Sequence, residues 1–173
     1  MASAPSHVLR GRAVVQPRRR GEVTGEIARY LGAFSILSVG AVHAQQYYGA
    51  YFSVVPTIGT LFLLSFIGAG VVGAVLLVPV RRLGRNIGDA ILVLAAVGAI
   101  AIALGTLVGL LISEYRPLFG FMESGYRLAI VLTLAFDVAT TVFLGLFVLI
   151  VARSRRHNID LATRPTMTTE RKG

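Results

Sequence analysis

Four apolar stretches, each long enough to cross a hydrocarbon layer, leave this chain very few ways to fold. They run at about 26–49, 57–79, 88–112 and 125–152. A bilayer core of ~30 Å takes ~20 helical residues. In lipid every backbone N–H and C=O must be satisfied within its own segment, and no strand-like alternation offers a barrel. The fold class expected is therefore an all-α membrane protein, a four-transmembrane-helix antiparallel bundle whose neighbours are joined by short loops. A basic, disordered arm at 1–25 precedes the transmembrane domain at 26–152, and a basic tail follows at 153–173.

Local punctuation agrees with these bounds. Thr24 suits a helix cap, and Glu26 suits the positive end of the first helix dipole. Pro56 stands at the start of the second helix, where a missing N–H costs nothing. Pro79 closes that helix ahead of the turn Arg81-Arg82-Leu83-Gly84-Arg85-Asn86, and Asp89 falls in the first turn of the third. Pro117 and Gly120 separate the third helix from the fourth.

Basic residues give the orientation. Arg10, Arg12, Arg18, Arg19, Arg20 and Arg29 belong to the amino-terminal side, and Arg81, Arg82 and Arg85 to the middle loop. Arg153, Arg155, Arg156, Arg164, Arg171 and Lys172 belong to the tail, whereas only Arg116 and Arg127 fall on the opposite side. The positive-inside rule puts both termini and the middle loop in the cytoplasm, N-in and C-in, with the helices in the cytoplasmic (inner) membrane. The same rule accounts for a net charge of +9, which in a soluble chain would suggest nucleic acid. Here the basic residues flank apolar segments, so membrane lipids with anionic headgroups are the expected partners and nucleic acid is not.

The chain has no cysteine, which excludes disulfides, thiol catalysis, thiolate zinc sites and iron–sulfur clusters. Rows of small residues recur every fourth position: Ser65, Ala69 and Gly73 in the second helix, and Ala101, Gly105 and Gly109 in the third. Such rows let helix backbones approach closely in lipid.

A few polar groups fall inside the membrane segments. Asp137 lies roughly 18 Å along the fourth helix from its outer end. A carboxylate at mid-membrane costs on the order of 3 kcal/mol, so it must face protein or water. Thr133, Asp137, Thr141 and Gly145 form one small, polar stripe at helical spacing. That stripe reads as a proton- or cation-linked site, a contact with a partner subunit, or a protonated carboxyl hydrogen-bonded across the bundle. His43 is the one histidine within an apolar segment, with Gln46 and Tyr47 on its face and Val39 and Gly40 beneath. A haem would need a second axial ligand, but His7 and His157 lie in the tails and Met1, Met122 and Met167 lie outside the spans. Toward the outer surface, Tyr47, Tyr48 and Tyr51 suit an aromatic belt. The second outer loop offers Glu114, Tyr115, Arg116, Glu123, Tyr126 and Arg127. Glu123 and Arg127, four apart, suit a local ion pair, and with His43 they suit a pocket for a quinone, a lipid headgroup or a partner protein.

The stretch His43–Phe66, above all "VPTIGTLFLLSF" after a histidine-and-aromatic hairpin, resembles a group of small actinobacterial four-helix membrane proteins. In those, a similar histidine precedes an "IPTIGPLFLLN"-like start of helix two, and "PLFGFMESGYR" (Pro117–Arg127) resembles their loop before helix four. This chain has Thr60 and Ser65 where that group carries proline and asparagine. The resemblance implies a fold and a bacterial inner membrane, and no activity. A looser similarity to DoxX-like four-helix proteins would imply quinone-linked electron transfer.

There is no phosphate-binding loop, no HExxH, no GxSxG and no carboxylate pair at catalytic spacing, so nothing here argues for an enzyme. Three readings follow. The leading one is a non-catalytic accessory or structural subunit of a cytoplasmic-membrane complex, or of a homo-oligomer. The others are a quinone- or haem-associated redox module near His43, and a small proton- or ion-coupled carrier using Asp137.

Overall fold

The computed structural model describes residues 20–49, 56–115 and 128–163. Within them the backbone is almost wholly helical: α1 is Arg20–Gly49, α2 is Pro56–Leu77, α3 is Arg85–Tyr115 and α4 is Leu128–Thr163. One turn of 3-10 helix, Val80–Leu83, stands between α2 and α3. Each of the four helices is long and apolar enough to cross a membrane, so the chain is a multi-pass membrane protein.

The helices close into a ring in which α1 lies against α2 and α4, and α3 lies against the same two. α1 and α3 face each other across the centre and scarcely touch. The interior is built from small side chains. Ala28, Ala33, Ala69, Ala96, Ala99 and Ala103 are buried, with a few large residues such as Ile36, Leu76, Leu92, Leu144 and Phe147 filling between them. Large apolar residues turn outward instead, Phe34, Leu64, Leu94 and Leu149 among them. In water such a surface would invite aggregation. In hydrocarbon it is the solvated face, and helices gain by bringing backbones together. Gly73 shows how close they come, since a Cβ there would lie 2.6 Å from the Leu37 side chain of α1.

Helix ends depart from the sequence expectation in physically simple ways. α1 starts at Arg20, so Thr24 lies inside the helix and Glu22, not Glu26, occupies its first turn. No proline follows Pro17 to stop the helix from beginning that early. α3 starts at Arg85 and has no acid in its first turn, which leaves Asp89 in the second. α4 continues to Thr163, well into the stretch expected as tail. Arginine is a good helix former in water, and the next breaker is Pro165. α2 ends at Leu77, as the restriction before Pro79 requires. Gly84, at φ +118°, then makes the bend that no side-chained residue adopts readily. Gly88 must stay bare, because a Cβ would lie 2.6 Å from Cα of Arg81.

A knot of ion pairs holds one end of the bundle. Glu26 pairs with Arg29 at 2.7 Å and with Arg81, and Arg81 reaches on to Asp89 at 2.7 Å. Glu22 stands 3.6 Å from Arg85, and Arg155 of α4 donates to the Asn86 carbonyl at 3.4 Å. Together these contacts gather the start of α1, the α2–α3 connection, the start of α3 and the far part of α4. Arg29, counted in the sequence simply as a topology charge, is 3% exposed and lies 4.4 Å from the Tyr30 ring centre. Removing its acid leaves a buried guanidinium without a counter-charge. Glu26→Ala is expected to destabilise the bundle by about 2–4 kcal/mol, somewhat below the fully buried limit because Glu26 is partly exposed. The double change Glu26→Leu with Arg29→Met should recover most of that loss when melting in detergent is followed by circular dichroism.

Candidate functional site

The intramembrane polar residues meet at the end of the bundle away from the ion pairs, in a cavity of about 470 Å³. Its walls come from the later halves of α1 and α3 and the earlier halves of α2 and α4. α1 contributes Val42, His43 and Gln46; α2 contributes Ile58, Leu61, Phe62, Leu64 and Ser65. α3 contributes Ala101, Gly105, Thr106, Gly109 and Ser113, and α4 contributes Ala129, Ile130 and Thr133. Leu61 and Leu64 of α2 and Gly105 of α3 are at once lining and exposed residues, so the cavity opens sideways between α2 and α3.

The small-residue row of α3 explains why there is space at all. A Cβ on Gly105 or Gly109 would meet nothing within 4 Å among the described residues. Expected as a packing seam, this row packs nothing at its two glycines and leaves a hollow. The row of α2 behaves as expected at Ala69, which is fully buried, and at Gly73. Ser65, one turn before Ala69, already faces the hollow.

His43 is 4% exposed and its Nδ1 lies 2.8 Å from the Val39 carbonyl oxygen. That oxygen can only accept, so Nδ1 carries a hydrogen and donates it. The Phe62 ring packs edge-on at 5.3 Å and fixes the imidazole plane. Gln46 lines the cavity while its amide donates to Gln45 Oε1 at 2.6 Å. Tyr47 is not a lining residue and stacks edge-on with Tyr48 at 4.8 Å.

The expected α4 stripe divides into three separate roles. Thr133 lines the cavity. Asp137, 1% exposed, lies one turn deeper, below the floor. Thr141 bonds its own helix, donating to the Asp137 carbonyl at 2.9 Å. The partner of the Asp137 carboxyl is Thr106 of α3, whose Oγ1 stands 2.7 Å from Oδ2 and 2.9 Å from the Ala103 carbonyl. One hydroxyl hydrogen cannot serve both. Either Thr106 donates to the carboxylate, or it donates to Ala103 and accepts from a protonated Asp137. Among the described residues the other oxygen, Oδ1, has no hydrogen-bond partner, nor does the hydroxyl of buried Thr140.

Glu123, Tyr126 and Arg127 lie outside the described residues, as does the rest of 116–127, whereas Glu114 and Tyr115, expected in that loop, form the end of α3. Thr106, Thr140 and Ser113 were not singled out from the sequence. Thr140, three residues from Asp137, shares a helical face with the i+4 neighbour Thr141, so spacing alone does not tell the two apart. Thr106 needed the pairing of α3 with α4, which no single-helix pattern contains. Among the described residues no three His, Cys, Asp or Glu side chains gather as metal ligands would.

Comparison with protein-family models, with curated proteins and with solved structures yields no match to this chain. The site therefore has to be read from its own chemistry.

Thr106→Val removes the one side-chain partner of a buried carboxyl while keeping the shape. It is expected to cost about 1–3 kcal/mol, read as a lower melting temperature in detergent, whereas Thr141→Val, which loses only a bond within its own helix, should cost less.

Proposed function

We propose that this chain is a non-catalytic accessory protein of the cytoplasmic membrane that holds one lipid-class amphiphile in the cavity between α2 and α3. The observation that carries the reading is the cavity itself. Its volume, about 470 Å³, falls in the range of small-ligand pockets of ~300–1,000 Å³. Its walls are apolar with a few polar points, and its mouth opens on the side, where a membrane helix bundle meets hydrocarbon. A ligand of acyl-chain or isoprenoid type, quinones included, reaches such a mouth without crossing water.

The accessory role rests on what the described lining can do. His43 is the only ionisable side chain among the described lining residues, and an acid–base or nucleophilic set needs a partner for it. A bundle that binds a lipid and performs no reaction fits a subunit that works beside other membrane chains or beside copies of itself. The asymmetry of arginines supports placing both termini and the ion-pair end in the cytoplasm, with the cavity in the outer half of the bilayer and the helices antiparallel.

Two measurements test this. A Cβ at position 105 or 109 meets no described neighbour within 4 Å and a leucine there extends into the hollow, so Gly105→Leu and Gly109→Leu are expected to fold. Both should lose most of the lipid that native mass spectrometry finds on the wild-type protein. Equal lipid retention in both variants would defeat the cavity reading. Co-purifying chains in the same spectra would identify the complex, and a spectrum of bare monomer would count against the accessory role. Because the chain lacks cysteine, Ser53→Cys and Thr168→Cys are clean topology probes. An impermeant maleimide added to intact cells is expected to label the first and spare the second; the reverse pattern would invert the orientation.

A further inference from the structure

We infer that the cavity selects a neutral lipid bearing a free hydroxyl, and that Nε2 of His43 accepts the hydrogen bond of that hydroxyl. This rests on the reading that the cavity holds a lipid, and it names the headgroup chemistry.

The first argument is the tautomer. With Nδ1 donating to the Val39 carbonyl at 2.8 Å, the neutral ring presents Nε2 as an acceptor. Nε2 makes no hydrogen bond among the described residues, although His43 is a lining residue and 4% exposed. An acceptor on the wall of an apolar cavity has little water to pair with, so a donor supplied by the ligand is rewarded. The Phe62 edge contact holds the ring, so Nε2 does not swing away to find another partner.

The second argument is charge. No described lining residue is Lys, Arg, Asp or Glu. A phosphate or carboxylate head taken into such a pocket would lose its hydration with no counter-charge in return. The arginines among the described residues, Arg29, Arg81, Arg85 and Arg155 among them, are gathered at the other end of the bundle.

The third argument is the direction of the remaining hydroxyls. Ser113 donates to the Leu110 carbonyl at 2.7 Å, and the Thr106 hydrogen is committed between Ala103 and Asp137. Both leave lone pairs, and neither has a hydrogen to give. An ester or ketone head brings only acceptors to these positions. A hydroxyl brings one donor for Nε2 and keeps lone pairs for Ser65 and Thr133, whose hydroxyls turn freely.

The test uses the full-length protein in mild detergent, with native mass spectrometry reading dioleoylglycerol against its acetylated derivative at equal concentration. Dioleoylglycerol should bind about fivefold or more better, as one hydrogen bond of this kind implies. Phosphatidic acid with the same chains should fail to displace it. His43→Phe, which keeps a ring against Phe62, should bind both glycerolipids alike. Equal binding to the wild-type protein, displacement by phosphatidic acid, or a preference that survives His43→Phe would each overturn the inference. The wild-type comparison of free and acetylated probes stands even if the variant fails to fold. If equal binding is lowered for both probes by Gly105→Leu, the cavity still holds lipid and only the headgroup assignment falls. If neither probe binds and Gly105→Leu leaves co-purified lipid unchanged, the cavity reading falls with it.

Discussion

Between two helices in a bilayer there is no water to expel, and this governs everything else in the structure. A leucine facing lipid is as well solvated as a leucine facing another helix, so burial as such stabilises little. What remains is close contact, and close contact needs small side chains. The interior of this bundle accordingly mixes many alanines and glycines with a limited set of large residues such as Ile36, Leu76, Leu144 and Phe147. Most of its other leucines, valines and isoleucines lie partly or fully on the outside. Size is sorted here where polarity would be sorted in a soluble protein. The same rule explains the cavity: a row of small residues packs tightly where a neighbour comes close, and leaves a hollow where none does. On α2 the row meets α1, and on α3 the glycines at 105 and 109 meet nothing among the described residues.

Charge is arranged by the same medium. The two acids nearest the bundle at the arginine-rich end, Glu26 and Asp89, both bind Arg81, and Glu26 also holds buried Arg29. These pairs link α1 to the α2–α3 connection at the level where the chain leaves the membrane. A partly wet position keeps the desolvation cost below that of a deep ion pair. Farther in, His43 and Asp137 are the described imidazole and carboxyl side chains buried in the bundle. Each is supported by one strong hydrogen bond, and neither bond is an ion pair.

How much of this was legible in the sequence follows from the range of each signal. Hydropathy over one span is a local property, so the existence of four membrane helices, and their centres, could be read directly. Their ends could not, because helices run on into water until a breaker stops them, as α4 does from Ala152 toward Pro165. His43 and Thr133 were legible as polar points on apolar helices, and both do line the cavity. Thr106 was not, since a threonine beside Gly105 looks like any small residue until α4 brings Asp137 to it. The burial of Arg29 is illegible for a similar reason. One arginine near a helix start counts as a topology charge, and its burial depends on Glu26 and on α4 closing over that face. In each case the missing information was which helices are neighbours.

That dependence bears on why a carboxyl is kept at position 137. A carboxyl in mid-membrane costs on the order of 3 kcal/mol, and a single hydrogen bond returns about 1 kcal/mol. Oδ1 has no partner among the described residues to add more. As a stabilising device Asp137 is therefore a poor choice. Its bond to Thr106 does something packing cannot do at that level. Just above it a Cβ on the α3 glycines would meet no described neighbour, so at that level little side-chain packing sets the height of α3. A single hydrogen bond between buried groups has one geometry, and sliding either helix by a residue breaks it. Deeper in, Leu92, Ala96 and Ala99 of α3 share a packed core with Leu144 and Phe147 of α4. At the cavity floor, where that packing ends, the Asp137–Thr106 pair fixes the same register.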